Sequence, residues 1–157
     1  MPFHLRDRIA NGIFNSVLTY CLPVFGGCDK GELDALQVMQ NCAARYVSQL
    51  SLSTNRKVIF RQIRWLTVRQ LIHYHTALSM FRIRRSQEPE YLSELISREN
   101  RHNNLIIPNT NLTLAKKSFC FRGPEEWNKL PAEIRDCERI GTFNLKVLDN
   151  YKWVSLW

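Results

Sequence analysis

Thr67-Val68-Arg69-Gln70-Leu71-Ile72-His73-Tyr74-His75-Thr76-Ala77-Leu78-Ser79-Met80-Phe81-Arg82-Ile83-Arg84-Arg85 is the stretch that decides the fold class. Its first four residues form a capping box, in which the Thr67 hydroxyl accepts from an orphan backbone N–H and the Gln70 side chain reaches back. The box predicts a helix from Val68 to about Arg85. Leu71, Tyr74, Leu78 and Phe81 recur at helical spacing and are expected to form its buried stripe. Arg69, His73 and Arg84 are expected on its outward face.

Moving upstream, Thr54 is a cap candidate for a helix in which Ile59, Ile63 and Leu66 share one face. Lys57, Arg61 and Arg64 have the same spacing shifted by two residues, about 200° around the axis. One side is apolar and the other cationic. Asp29-Lys30-Gly31-Glu32 reads as another capping box, followed by Leu33, Leu36, Gln40, Ala43, Val47 and Leu50 along one face. From Phe3 to about Tyr20, Ile9, Ile13, Phe14, Val17 and Leu18 recur as an amphipathic helix with Gly12 as its weak point. Pro23, Gly26 and Gly27 predict an extended or turning piece from Cys21 to Gly27.

Downstream, Pro89 opens a short helix through Ile96, with Tyr91, Leu92, Leu95 and Ile96 as its apolar residues. Arg98 to Thr113, with five asparagines and Pro108, reads as a linker in which Leu105-Ile106-Ile107 could pair as a strand. The last segment predicts a helix or turn around Trp127, another after Pro131, and a final helix from Thr142 to about Tyr151. Phe143, Val147 and Leu148 are its packing residues. The chain therefore reads as mainly α: a helical bundle over residues 1–97, a linker at 98–113, and a small, mostly helical segment at 114–157.

Composition narrows the class. The chain has 157 residues, 45% of them hydrophobic and 23% charged, enough for one compact domain or two small helical ones. The apolar run Val17 to Cys28 is broken by Pro23 and the glycines and is about half the length of a membrane span. No secretory leader is evident at Met1 to Arg8. Cys21, Cys28, Cys42, Cys120 and Cys137 are odd in number, irregularly spaced and without a Cys-x-x-Cys pair, which favours reduced thiols and an intracellular protein of nucleus or cytoplasm.

Charge is more telling. The formal net charge is +8, and between Asp34 and Glu88 there is no acidic residue. That interval holds Arg45, Arg56, Lys57, Arg61, Arg64, Arg69, Arg82, Arg84 and Arg85, so the remainder of the chain is close to neutral. Arg56, Lys57, Arg61, Arg64, Arg69, Arg84 and Arg85 are the candidate nucleic-acid contacts. Phe60, Trp65, Tyr74 and Phe81 lie among them, but their spacing with leucines reads as core. No catalytic constellation, glycine-rich phosphate loop or metal-ligand set is present. His73 and His75, two positions apart, point to different sides of a helix. Glu125-Glu126 and Glu88-x-Glu90 read as charges at helix starts. Trp127, in Gly123-Pro124-Glu125-Glu126-Trp127-Asn128-Lys129-Leu130-Pro131, is expected to anchor the terminal segment to the helical body.

Four blocks together resemble the region that follows the palm in reverse transcriptases of non-LTR (LINE-type, jockey- and CR1-like) retrotransposons. Asn15-Ser16-Val17-Leu18-Thr19-Tyr20 with Leu22-Pro23-Val24-Phe25-Gly26 is similar to the segment that opens the thumb. Leu36-Gln37-Val38-Met39-Gln40-Asn41-Cys42-Ala43-Ala44-Arg45 is similar to a thumb helix. Pro89-Glu90-Tyr91-Leu92 resembles a third element, and the block from Ser118 to Arg135 around Trp127 a terminal signature. Phe25 stands where the family commonly has tryptophan. The resemblance implies a thumb-like bundle that grips the backbone of an RNA or RNA–DNA duplex, with upstream polymerase domains of the same element as further partners. It implies no polymerase activity for this chain. The family's adjacent aspartates, which hold two magnesium ions, have no counterpart among Asp7, Asp29, Asp34, Asp136 and Asp149, so magnesium would belong to a palm upstream of Met1. No cofactor, small-molecule substrate or membrane is expected. The alternatives are a retroelement-derived helical protein-interaction domain, using the face of the first helix, and a decaying copy without a role.

Overall fold

A computed structural model describes residues 1–96, 99–100 and 104–154. Apart from one isolated antiparallel bridge between Glu99 and Leu105, all regular structure among them is helical, as the sequence predicts. Helix α1 (Phe3–Ala10) runs through a π turn (Asn11–Asn15) into α2 (Ser16–Thr19), followed by the single turn α3 (Leu22–Phe25). Next come α4 (Lys30–Ser48), α5 (Arg56–Ile63), α6 (Val68–Ser86) and α7 (Glu90–Ile96). The chain ends with α8 (Thr113–Lys117), α9 (Phe119–Lys129), α10 (Ala132–Arg135) and α11 (Ile140–Val154).

Both capping boxes form. At α4, Glu32 accepts from the Asp29 N–H at 3.0 Å. At α6, the Gln70 side chain accepts from the Thr67 N–H at 2.8 Å while the Thr67 hydroxyl accepts from the Gln70 N–H. At α5 the cap is Asn55 rather than Thr54, its side chain accepting from the Lys57 N–H at 2.9 Å. The final helix starts at Ile140, two residues ahead of the cap expected at Thr142.

Three apolar clusters hold the helices. The first joins Ala10, Ala44, Val47, Ile59, Phe60 and Ile63 across α1, α4 and α5. The second joins Leu18, Leu22 and Leu33 to Val68 and Ile72 of α6. The third takes the rest of α6, from Ala77 to Ile83, with Ile96, Leu105, Trp127, Leu130, Ile134, Phe143 and Val147. Helix α6 thus crosses from one core to the next. It is buried around most of its circumference, with Val68, Gln70, Ile72, Thr76, Ala77, Leu78, Met80, Phe81 and Ile83 all buried. The expected stripe of Leu71, Tyr74, Leu78 and Phe81 is therefore too narrow: Leu71 and Tyr74 are partly covered, and the opposite side packs as well.

The first helix departs further from its expected pattern. A π turn rotates each residue less far around the axis than an α turn. Across Asn11–Asn15 this brings Ala10 and Leu18 onto one buried line and leaves Ile9, Ile13 and Val17 outside, the last two 69% and 74% exposed. Of the two forms expected for Cys21 to Gly27, extended or turning, the structure has the second: a single helical turn with Pro23 in its first positions and Leu22 fully buried.

The expected linker is docked to the core. Leu105 is buried, and Asn128 of α9 holds its backbone from both sides, accepting from its N–H at 2.8 Å and donating to its carbonyl at 2.9 Å. Leu105 forms the isolated bridge in place of a strand, and the third cluster draws side chains from both sides of the boundaries expected at 97 and 114. Residues 97–98 and 101–103, where that linker begins, lie outside the described residues.

Trp127 is 4% exposed. Its ring stacks on Phe143 of α11 at 5.8 Å, Phe143 stacks on Phe81 of α6 at 4.3 Å, and the Arg84 guanidinium covers the indole at 5.2 Å. Gly123 permits this approach: a Cβ there would come within 2.6 Å of the Met80 sulfur. Pro124, which lacks the amide proton a helix interior uses, is buried at the same contact. Trp127→Ala removes the centre of the stack and should lower unfolding free energy by roughly 3–5 kcal/mol. Chemical denaturation followed by circular dichroism measures this, and an unchanged midpoint would contradict the anchoring role.

Candidate nucleic-acid interface

Helix α5 places four of the seven candidate cations together. Its apolar residues Ile59, Phe60 and Ile63 pack on α4 and α1, which turns Arg56, Lys57 and Arg61 to solvent. Arg64 is the C-cap, at φ 58°, rather than a residue of the helix; its side chain is exposed too. The Trp65 indole N–H donates to Asp7 at 3.0 Å and fixes the end of α5 against α1. Among the described residues, no carboxylate is paired with Arg56, Arg61 or Arg64.

The other three candidates are placed differently. Arg69 is half-exposed at the start of α6 and pairs with Asp34 of α4 at 3.2 Å. Arg84 and Arg85 lie at the far end of the same helix, about 22 Å from Arg69 at 1.5 Å per residue. Arg84, expected on an outward face, is partly buried, bonded to Glu99 at 2.5 Å and laid over Trp127. Arg85 donates to the Cys137 carbonyl at 2.8 Å and lies over Phe81. Arg84 is committed to the third core, and Arg85, though exposed, is anchored at its edge, so the expected cationic stripe from residue 56 to 85 is densest at α5 with Arg69 beside it. Arg45 is drawn inward as well, onto the Ser51 and Thr54 carbonyls. Of the interleaved aromatics, Phe60 and Phe81 are core residues, and Trp65 and Tyr74 pack at the edges of the clusters.

A second polar cluster was not read from the sequence. Glu126, expected at a helix start, lies well inside α9 and is buried against α6 and α11. It accepts from His73 Nδ1 at 2.8 Å and from Lys129 Nζ at 2.9 Å. Burial alone would raise its pKa, but the bonds from His73 and Lys129 outweigh that and hold the carboxyl below its ordinary range. Burial first, then the Glu126 carboxylate, push the Tyr151 hydroxyl up. Arg122 donates from Nε to the Lys117 carbonyl at 2.9 Å and from Nη2 to the Pro23 carbonyl, tying α9 to α8 and α3. No local signal marks these residues, because their partners lie up to 99 positions away.

All five cysteines are free thiols, and burial, followed by Glu32, raises the pKa of Cys28. Among the described residues no group of His, Cys, Asp and Glu could hold a metal ion, and no helix is long and apolar enough to cross a membrane. No protein-family model, curated protein or solved structure matches the chain.

His75 gives a pH dependence. Burial, and secondarily Arg82, lower its pKa from the ordinary 6.5. The unfolded chain therefore takes up the proton first, so stability is complete above about pH 6.5 and falls as pH drops from there to the lowered folded value. Glu126 adds a second loss at lower pH, as its depressed carboxyl protonates. Urea midpoints measured from pH 8 to pH 4 should fall, and His75→Gln should flatten the upper part of that fall while leaving the lower part in place.

Proposed function

We propose that this chain is a nucleic-acid-binding helical region, the thumb and post-thumb part of a non-LTR retrotransposon reverse transcriptase, which holds an RNA or RNA–DNA duplex by its phosphates. Support for the origin is the order of the four sequence blocks together with a helical fold. The binding half rests on one observation: Arg56, Lys57, Arg61 and Arg64 stand exposed on one short packed helix and its cap. Guanidinium groups held by a rigid scaffold make charge-assisted contacts to phosphates that position a duplex without reading its bases. Polymerisation is assigned to other domains, since the paired aspartates of the family are missing from this sequence. The reading places the protein inside the cell, in nucleus or cytoplasm, with upstream polymerase domains as its other partner.

A second reading, a helical protein-interaction domain, is favoured by one specific observation. Ile9, Ile13, Val17 and Val24 are exposed apolar residues on the first three helices and the π turn between them. Under that reading the α5 charges are a solvated surface.

Fluorescence anisotropy with a labelled RNA–DNA hybrid separates the two. With about four phosphates neutralised, log affinity should fall against log salt with a slope of roughly −3 to −4. Arg56→Glu, Arg61→Glu and Arg64→Glu together should abolish binding with an unchanged circular dichroism spectrum, whereas Arg85→Gln should leave the slope unaltered. No binding at low salt would overturn the first reading in favour of the second.

A further inference from the structure

Arg6, Ala10, Phe14 and Leu18, four residues apart, form the side of α1, the π turn and α2 that packs inward. Arg6 donates to the Val47 carbonyl at 3.0 Å, and the other three belong to the first two clusters or pack against them. Leu5, Ile9, Ile13 and Val17 each precede one of these by one residue, so they share a second line about 100° around the same axis. That line faces solvent: Leu5 and Ile9 are 41% and 43% exposed, and Ile13 and Val17 more so. Gly12, Ser16 and Tyr20, three positions after Ile9, Ile13 and Val17, run beside it and are all exposed.

Size, shape and polarity together fit this face to a copy of itself. Leu5, Ile9, Ile13, Val17 and Tyr20 expose on the order of 600 Å², so two such faces would remove about 1,200 Å² from water, the lower bound of a specific interface. A monomer seldom leaves a patch of that size open. Gly12 lies near the middle of the line, and a Cβ there would meet nothing within 4 Å, so a second helix can approach closely at that point. From Ile9 to Cys28 no residue is charged. The polar side chains are occupied within the helix: Ser16 Oγ donates to the Gly12 carbonyl at 2.6 Å, Thr19 Oγ1 to the Asn15 carbonyl at 2.7 Å and Asn15 Nδ2 to Asn11 Oδ1 at 2.6 Å. Covering the two hydroxyls therefore strands no donor.

We propose that a second copy of this chain covers the face, with the two first helices antiparallel about a two-fold axis beside Gly12 and Ile13. In that arrangement Ile13 meets Ile13, Ile9 meets Val17, and Leu5 meets Tyr20 of the other copy. Charge selects the antiparallel form. Arg8, exposed at the charged end of its helix, lies beside the last turn of the other copy's helix, whose unpaired backbone carbonyls favour a cation. A parallel pair would set Arg8 against Arg8. Each copy carries a formal +8, so salt screens their mutual repulsion and strengthens the dimer while it weakens contacts to phosphates. The dimer rests on the first helix alone and on neither role of α5.

The test is analytical ultracentrifugation of the full chain without nucleic acid, from micromolar to submillimolar concentration. The average mass should climb from that of one chain towards that of two, more steeply at high salt. Ile13 belongs to none of the three clusters, so Ile13→Asp should leave the circular dichroism spectrum unchanged. By placing two carboxylates at the axis it should weaken association at least tenfold. Ile9→Lys and Val17→Glu should each associate at least tenfold more weakly alone, and mixing them should restore a dimer, because antiparallel helices bring residues 9 and 17 together. A monomer at every concentration and salt would overturn the proposal and leave the face to a different polypeptide. A dimer indifferent to Ile13→Asp, or a mixture that associates no better than its components, would overturn it too. Anisotropy with the labelled duplex reads α5 separately, so failure here leaves duplex binding untouched.

Discussion

Burying helix α6 nearly all the way round is the constraint on which the rest of the structure depends. A helix enclosed on one face can keep its polar residues in water; an enclosed helix must find partners for them. Gln70 donates to the Tyr151 carbonyl at 3.0 Å, His73 meets Glu126, and the Tyr74 hydroxyl donates to Asn144. Each of these partners lies on α9 or α11. The polar side chains of α6 therefore set where the C-terminal helices sit, and the Phe81–Phe143–Trp127 stack supplies the apolar area that holds them there. Thr76 is the member of this series whose hydroxyl is left without a partner, although its side chain is fully buried.

The parts of this arrangement that are local were legible in the sequence. Asp29 with Glu32 and Thr67 with Gln70 announce the starts of α4 and α6, because a capping box is written within four residues. The two faces of α5 are set by helical geometry alone, and Trp127 carries too much apolar area to be left in water. What could not be read depends on distant residues. Leu71 and Ile72 are equally good stripe residues on paper, and the choice between them was made by α3, α4, α9 and α11 packing on several sides. The π turn at Asn11–Asn15 is a shift of a fraction of a turn, yet it drops Ile9, Ile13 and Val17 from the expected buried set and leaves Leu18 with Ala10 inside. Periodicity sees the repeat and cannot see its phase.

The same division separates the cations. Arg84 and Arg85 belong to the acid-free interval as much as Arg61 does, and sequence gives no reason to part them. The fold does. The end of α6 carries aromatic rings and free carbonyls of the third core, and a guanidinium can lie flat over a ring while donating in its plane. At α5 no carboxylate among the described residues is paired with Arg56, Arg61 or Arg64, and those side chains stay exposed. An interval of one charge sign is thus partly architecture and partly surface.

The charges left on α5 also act on the helix that carries them. Lys57 and Arg61 stand four residues apart on one side, where like charges repel. Arg56 opens the helix at its positive dipole end, and the first turn has no acidic residue to offset it. An eight-residue helix with this pattern is not stable alone. Tertiary contacts supply what is missing: the packing of Ile59, Phe60 and Ile63 against α1 and α4, the Asn55 cap, and the Trp65–Asp7 bond. Stability is therefore drawn from the core to hold repelling charges side by side. A polyanion laid along α5 would reverse that repulsion, so that the arrangement least favourable to the isolated helix becomes the one most complementary to a row of phosphates.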